Sequence, residues 1–296
     1  DVACGGEGPA GRTGGMAGRG LRVATWNLAW LAAWDHAGEV PRTEADYARL
    51  RRYAERLDAD VIALQEVDGA QAAQRVFDPA AYDFHFSDRE HVQRTGFAFR
   101  RTLSVARHPD VRALDVGGQR HGVDLTVFLP DGTPLRLLSV HLASGCFGRP
   151  LDDGLVSCRR LSAQLPVLEE WIDARSSAAT PAAVLGDFNR RFFHEPDGDE
   201  AWRMLDDAQP PRSRLSSPTA GRKPTCLGGK YPSFIDHLLF NAPATTMLVD
   251  GSFREHVYDL SDAPRARVLS DHCPLSVRVE AIRRGGQGRR IVAGNP

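Results

Sequence analysis

Short apolar runs recur along this chain, and six of them stop abruptly at polar side chains. The six are Thr25-Trp26-Asn27, Gln65-Glu66, Ser139-Val140-His141, Gly186-Asp187-Phe188-Asn189, Ile235-Asp236-His237 and Ser270-Asp271-His272. A brief apolar run bounded by polar residues reads as a buried strand. The pattern therefore predicts strands that deliver carboxylates, amides and imidazoles to one edge of a sheet. Strands are expected at residues 21–25, 61–64, 95–105, 111–116, 122–129, 135–141, 182–185, 234–240, 246–253 and 274–279. Pro130-Asp131-Gly132-Thr133 marks a hairpin turn. Residues 44–58 carry Tyr47, Leu50, Tyr53, Ala54 and Leu57 at helical spacing, and residues 155–175 carry Leu161, Leu165, Leu168 and Ile172. A shorter helix is expected at 69–77.

Strands and helices alternate at both ends of the chain, with hairpins in the middle. The polar ends rise in two halves: Asn27, Glu66 and His141 first, then Asp187, Asp236 and Asp271. This predicts an α/β fold of two mixed sheets packed face to face with helices outside. The domain is expected to span residues 21–282. A glycine-rich tail (1–20) and a basic tail (283–296, opening Arg-Arg-Gly-Gly-Gln-Gly-Arg-Arg) flank it, and both read as solvated segments.

Composition removes some classes. No run of 18 apolar residues exists, which argues against a membrane span. A net charge of −1 excludes a strongly cationic coat for nucleic acid, though not a local basic rim. Five cysteines without C-x-x-C spacing do not make a disulfide scaffold. Cys146 and Cys158 bracket a turn-rich loop, and both a disulfide and two unpaired thiols fit that spacing. Cys273 reads as a small core residue, and Cys4 and Cys226 have no obvious mates. The chain opens on Asp1 without a hydrophobic leader, as a mature or trimmed chain would.

Hydrolysis of a phosphate ester requires hard oxygen ligands for a divalent cation, a histidine base and donors for phosphoryl oxygens. The strand ends hold that inventory. Singly, each has a plain structural reading: an Asx turn for Gly186-Asp187-Phe188-Asn189, a strand cap for Ser270-Asp271-His272, a turn former for Asn27, an exposed strand end for Glu66. Asp236 could be a buried structural carboxylate, His141 a hydrogen-bonded structural group, and His237 a strand residue facing away.

The combination is more specific. Thr-Trp-Asn, Leu-Gln-Glu-Val, Ser-Val-His-Leu, Gly-Asp-Phe-Asn, Phe-Ile-Asp-His and Ser-Asp-His-Cys-Pro occur in this order over residues 21–280. That series resembles the endonuclease/exonuclease/phosphatase superfamily, the deoxyribonuclease I-like fold. The resemblance implies a four-layered sandwich and a phosphoesterase dependent on Mg2+, with Mn2+ or Ca2+ as substitutes. It implies Glu66 as principal metal ligand with Asn27 and Asp271, and His272 as general base oriented by Asp236. Asp187 and Asn189 would position water and the phosphoryl group, and His141 would donate to a phosphoryl oxygen or assist the leaving group. It leaves open one or two metals, and whether Asp187 or His272 deprotonates water. Arg190 and Arg191 could reach a substrate phosphate, although a structural ion pair is the alternative. Arg94 before Thr95-Gly96 is placed near the cleft by similarity to bacterial relatives. The Cys146/Cys158 pair also resembles one in exported relatives, which implies a disulfide and a secreted or periplasmic protein.

A binding module without catalysis is the reading from a different class. Three acids and two histidines converging without a metal would repel, which weighs against it. The remaining choice is between an endonuclease on nucleic acid, preferred here, and a phosphatase or phosphodiesterase on a small or lipid phosphate. No aromatic-basic stripe for single strands and no hydrophobic membrane-docking hairpin is evident. A duplex would meet only a modest groove-and-phosphate grip. A monomer is expected.

Overall fold

A computed structural model describes residues 20–89 and 91–281; the expected tails, apart from Gly20, and the last residue of the expected domain, Ile282, fall outside the described residues. Twelve strands form two six-stranded sheets. They are β1 (Leu21–Leu31), β2 (Val61–Val67), β3 (Tyr82–Phe86), β4 (Arg94–Arg100), β5 (Val105–Arg107), β6 (Val123–Phe128), β7 (Pro134–His141), β8 (Ala182–Asp187), β9 (Leu215–Ser216), β10 (Asp236–Asn241), β11 (Arg254–Glu255) and β12 (Leu275–Val279). The first sheet runs β11-β12-β1-β2-β4-β3 and the second β5-β6-β7-β8-β10-β9. Both are mixed: β1 pairs parallel with β2, and β7 with β8, while the other pairs are antiparallel. This is the α/β sandwich expected from the strand pattern.

Period-two alternation explains the packing. Val23, Val61, Leu137, Leu185, Leu238 and Val277 face inward and meet in one core between the sheets. Alternate residues face outward. Ala24, Ile62 and Leu64 meet helix α1 (Glu44–Leu57) through Tyr47, Leu50 and Leu57. Leu138, Val140 and Val184 meet a 22-residue helix (Val156–Ser177) through Leu161, Leu165 and Leu168. Burying these stripes is what holds α1 and the long helix in place, since isolated helices of such length are marginal in water.

Two expected strands are absent. Residues 111–116 form a 3-10 turn, Arg112–Leu114, beside a single bridge from Val111 to Gly122. Thr246–Phe253 is not a strand either. Met247 fills the inter-sheet core and Leu248 makes one bridge to Val279, so these apolar residues are satisfied by packing without a ladder. The expected helix at 69–77 is confined to Gly69–Ala73. Three short elements carried too little periodicity to read: β3, β9 and the helix Glu200–Leu205.

Gln65 joins the sheets beneath the polar edge. Its amide oxygen accepts from Thr25 Oγ1 at 3.2 Å, and its nitrogen donates to Ser139 Oγ at 3.3 Å. Ser139 Oγ in turn donates to Leu64 O at 3.2 Å. A fully satisfied buried polar bridge of this kind fixes how two apolar faces register.

Candidate active site

Alternation aims four of the expected residues at one spot. Asn27 continues the inward row of Leu21, Val23 and Thr25. His141 follows Leu137 and Ser139, Asp187 follows Ala183 and Leu185, and Asp236 precedes Leu238 and Phe240. Register then makes them neighbours. Asp187 lies directly opposite His141 on one side and Asp236 on the other.

Glu66 breaks the rule. Alternation would send it outward with Ile62 and Leu64. Its φ of 58° and a register shift between Leu64 and Val67 turn it inward instead. Left-handed backbone at a non-glycine residue costs on the order of 1 kcal/mol. Facing it, β1 shifts register between Asn27 and Leu31, with Ala29 and Trp30 also at positive φ. That bend brings Trp30 N–H to Glu66 Oε2 at 3.2 Å.

Gly186 has a different reason to be glycine. At φ 150° a Cβ there would sit 2.0 Å from Val140 O, so any side chain would push β8 off β7. Asp187, the next residue, would move with it.

The inner cluster is tight. Asn27 Nδ2 donates to Glu66 Oε1 at 3.2 Å and Asp187 Oδ2 at 3.0 Å. Its Oδ1 accepts Ala29 N–H, so Asn27 presents N–H rather than oxygen to the two carboxylates. His141 Nε2 lies 3.6 Å from Glu66 Oε1 and 3.5 Å from Asp187 Oδ2. Asn189, at φ 50°, donates its backbone N–H to Asp187 Oδ1 and its side-chain N–H to Leu142 O. Beside them, His272 Nδ1–H donates to Asp236 Oδ2 at 2.7 Å. That leaves His272 Nε2 facing Asp187 Oδ2 and Asp271 Oδ1, each 3.8 Å away. Ser270 Oγ ties this arm to the first sheet: it donates to Asn27 O and accepts His272 N–H.

Burial pushes Asp187 up to about 7; the Asp236 and Glu66 carboxylates add to the rise, and His272 opposes it. Burial alone would lower His272. The Asp236 carboxylate, backed by Asp187 and Asp271, outweighs burial and holds it well above its ordinary value. Burial, with the cations Arg120 and His272, keeps His141 well below its own.

Glu66, Asp187 and His141 offer ligand atoms all within 4.8 Å of one another. No lysine or arginine forms an ion pair with Glu66 or Asp187 among the described residues. Crowded carboxylates without a cation fit a divalent metal, which would offset their mutual repulsion. Asp271, whose side chain is 52% exposed, lines the same cleft beside His272 and lies outside the Glu66–Asp187–His141 group.

These residues form the floor of a cleft of about 810 Å3. Its lining includes the cations Arg120, Arg191, Lys230 and Arg267 and the aromatic residues Trp30, Phe147 and Tyr231. The aromatic-basic mixture was not visible as a stripe because, apart from the adjacent Lys230 and Tyr231, its members come from separate segments of the chain. Arg120 was missed for the same reason. Its Nη2 donates to Leu142 O, the carbonyl that also accepts from Asn189.

Of the arginines expected here, only Arg191 lines the cleft. Arg190 is buried in an ion pair with Asp199 and donates to Arg149 O at 2.6 Å, the structural alternative. Arg94 bonds His91 O and lies over Gly69, away from the cleft. His237 faces outward, its Nδ1 against Thr219 Oγ1 and its Nε2 against Arg190 O.

Cys146 and Cys158 form a disulfide. A second joins Cys226 to Cys273, correcting the reading of Cys273 as a core thiol and of Cys226 as mateless. It ties the loop bearing Lys230 and Tyr231 to the residue after His272.

The Endonuclease/Exonuclease/phosphatase family matches residues 24–272. Among solved structures, TDP2 of D. rerio, complexed with a single-strand DNA product, shares 15% identity at a TM-score of 0.57, covering 87% of this chain and 98% of that one. The human Nocturnin catalytic domain with bound sulfate shares 18% at 0.58, covering 89% and 94%. A 3′-5′ exonuclease from Neisseria meningitidis shares 16% at 0.60, covering 88% and 100%. At such identities the likeness is one of fold. No curated protein sequence matches the chain.

Proposed function

Because the chain belongs to the Endonuclease/Exonuclease/phosphatase family, we propose that it is a metal-dependent nuclease that hydrolyses phosphodiester bonds of nucleic acid. One observation carries the reading. A carboxylate cluster able to hold a metal abuts an Asp236–His272 dyad in a cleft whose lining also includes four cations and the aromatic residues Trp30, Phe147 and Tyr231. A small monoester would need far less of that lining than a polyanion with stacking bases does. The D. rerio TDP2 bound to a DNA product supports the same choice.

Glu66 and Asp187 would hold the metal, with Asp271 as a further oxygen ligand. When bound, it would polarise the phosphoryl group and offset developing negative charge. Asn27 orients both carboxylates through its amide N–H groups. With a metal on Asp187 offsetting part of the negative charge that keeps His272 protonated, neutral His272 would accept the proton of the attacking water at Nε2, and Asp236 would stabilise the resulting imidazolium through Nδ1–H. Asn189 and His141 face the phosphoryl oxygens from the second sheet. The two disulfides support an oxidising compartment outside the cytoplasm. No helix of the described residues is long and apolar enough to cross a membrane.

The test is a substrate panel: supercoiled plasmid, single-stranded DNA, RNA, bis-p-nitrophenyl phosphate and p-nitrophenyl phosphate, each with Mg2+ or Mn2+ and with EDTA. Nicking of plasmid, which reports internal cleavage, and diester turnover abolished by EDTA are expected. Intact nucleic acid beside rapid monoester turnover would overturn the nuclease assignment. Full activity of Glu66→Ala or His272→Ala would overturn the site.

A further inference from the structure

Beyond Arg191 the catalytic cleft continues into a second concavity of about 480 Å3. Phe147, Arg191 and Ser233 belong to the walls of both. Three features mark this groove as built for an anion. None of its lining residues is acidic, while Arg149, Arg191 and His194 all contribute to it. The Arg191 guanidinium makes no hydrogen bond or ion pair among the described residues; it lies 5.6 Å from the Phe147 ring centroid. Arg149 pairs only with Asp153, in an exposed contact that a phosphate can displace at small cost.

The wall is also rigid. Cys146 is held by its disulfide, and Arg149 N–H donates to Cys146 O at 2.8 Å. The buried Arg190 braces the turn from beneath through Arg149 O and Asp199. Arg191 N–H donates to Phe147 O at 3.1 Å, with Phe147 held at φ 41°. Fixing the backbone places the bases of both arginine side chains before a ligand arrives, which leaves less to order on binding. Arg190, which cannot touch substrate, thus acquires a purpose: it presents its two neighbours in the groove.

We propose that this groove binds the phosphate adjacent to the scissile one in a polynucleotide, with Arg191 and Arg149 as its ligands and Phe147 as a face for the attached base. The proposal rests on the nuclease reading and extends it: the preferred substrate carries at least two consecutive phosphates. Guanidinium groups suit a non-bridging phosphate edge because of their fork of N–H donors.

The experiment compares thymidine dinucleoside monophosphate, with one phosphate, and the trinucleoside diphosphate, with two, in wild type and an Arg149→Gln/Arg191→Gln double variant. The wild type should show at least a tenfold higher kcat/KM on the longer substrate. That advantage should fall towards unity in the double variant. The slope of log kcat/KM against log salt should shrink by about 0.7 for the lost phosphate contact on a single strand. Both residues reach solvent, and thermal melts will confirm that the double variant folds. Arg149→Lys/Arg191→Lys, which keeps charge but not the fork, should restore part of the advantage. A length advantage that persists in the glutamine variant, or is missing in wild type, refutes the subsite alone. Failure of wild type to cleave any diester while cleaving p-nitrophenyl phosphate refutes the nuclease reading beneath it.

Discussion

Arg42 offers the sharpest test of how the two arms of the site are held together. It is fully buried, and no carboxylate pairs with it among the described residues. Its guanidinium donates to Leu28 O at 2.9 Å, Ala29 O at 2.8 Å and Leu269 O at 2.8 Å, with a longer contact to Trp30 O at 3.3 Å. The first two carbonyls and Trp30 belong to the bend that lays Trp30 N–H on Glu66. Leu269 leads into Ser270-Asp271-His272. One side chain therefore clamps the metal arm to the base arm. Arg42→Met keeps a similar apolar stem and removes the clamp. Three buried carbonyls left unsatisfied cost about 1–3 kcal/mol each, a ceiling of about 9 kcal/mol. Removing an unpaired buried charge returns part of that, which brings the net loss to about 3–5 kcal/mol. For a domain of this size that lowers Tm by about 6–10 °C. The protein should remain folded at 25 °C, where globular domains typically hold about 5–15 kcal/mol.

Function should suffer beyond stability. A displacement of about 1 Å at a catalytic group costs on the order of 100-fold, so kcat at 25 °C should fall about 10–100-fold. Calorimetric titration with Mn2+ should show weakened metal binding, because Glu66 loses the Trp30 N–H that aims it. Arg42→Lys has one compact ammonium and cannot span both arms, so it should recover stability better than kcat. The assays are urea or thermal melts by circular dichroism, diester turnover and metal calorimetry on the same samples. An Arg42→Met protein that melts within 2 °C of wild type and keeps kcat within about twofold would show that the bend and the His272 loop hold themselves.

Asp236→Asn should lower kcat about 100- to 10,000-fold with little change in Tm, since the amide fills the same space without stabilising the imidazolium; a fivefold loss or less would remove Asp236 from its role. His237 and His256 are each pushed to about 4 by burial, against an ordinary 6.5. Depressed folded values mean the unfolded chain binds more protons below about pH 6.5, so stability is full above that value and falls as pH drops towards 4, by up to about 1.4 kcal/mol per unit for the fully buried His237. NMR titration should find both rings neutral at pH 5, and normal titration near 6.5 would refute the burial argument. Alkylation of the unreduced protein should leave Cys146, Cys158, Cys226 and Cys273 unmodified, whereas modification at any of them before reduction would remove that disulfide.

Asn27, His141, Asp187 and Asp236 were legible because a strand alternates with a period of exactly two residues' reach, one face in and one face out. Once Val23, Leu137, Leu185 and Leu238 are taken as core, the polar residue at an even offset must sit at the rim of the same inward face. The pairing of β7, β8 and β10 around Asp187 comes from the sheet register and was not read from the chain. Arg190 was ambiguous because its neighbour Arg191 has the same chemistry; burial beside Asp199 separates them, and burial of a loop residue has no local signature. Cys226 and Cys273 lie 47 residues apart, on a loop and a strand start. Only the closure of the cleft brings them together.

Glu66 was expected at the polar edge from its motif, but the turn that brings it there was not legible. The expected strand ends at Leu64, and carrying strict alternation two residues further would send Glu66 outward. A carboxylate on the outward, apolar face of β2 that carries Ile62 and Leu64 would lack a partner, at a cost of several kcal/mol. A left-handed turn at one residue costs about 1 kcal/mol. The bulge is the cheaper outcome, and it places Glu66 against Asn27, Trp30 N–H and His141. The same comparison governs a metal: two carboxylates brought within reach of one ligand position repel unless a cation joins them. Strain in β2 and a divalent cation are therefore coupled. Loading the site should stabilise the fold, and Glu66→Gly, which relieves the backbone but removes the ligand, should raise the metal-free Tm relative to Glu66→Ala while abolishing the metal-induced increase. Equal metal-induced shifts in Glu66→Gly and wild type would place the ion elsewhere.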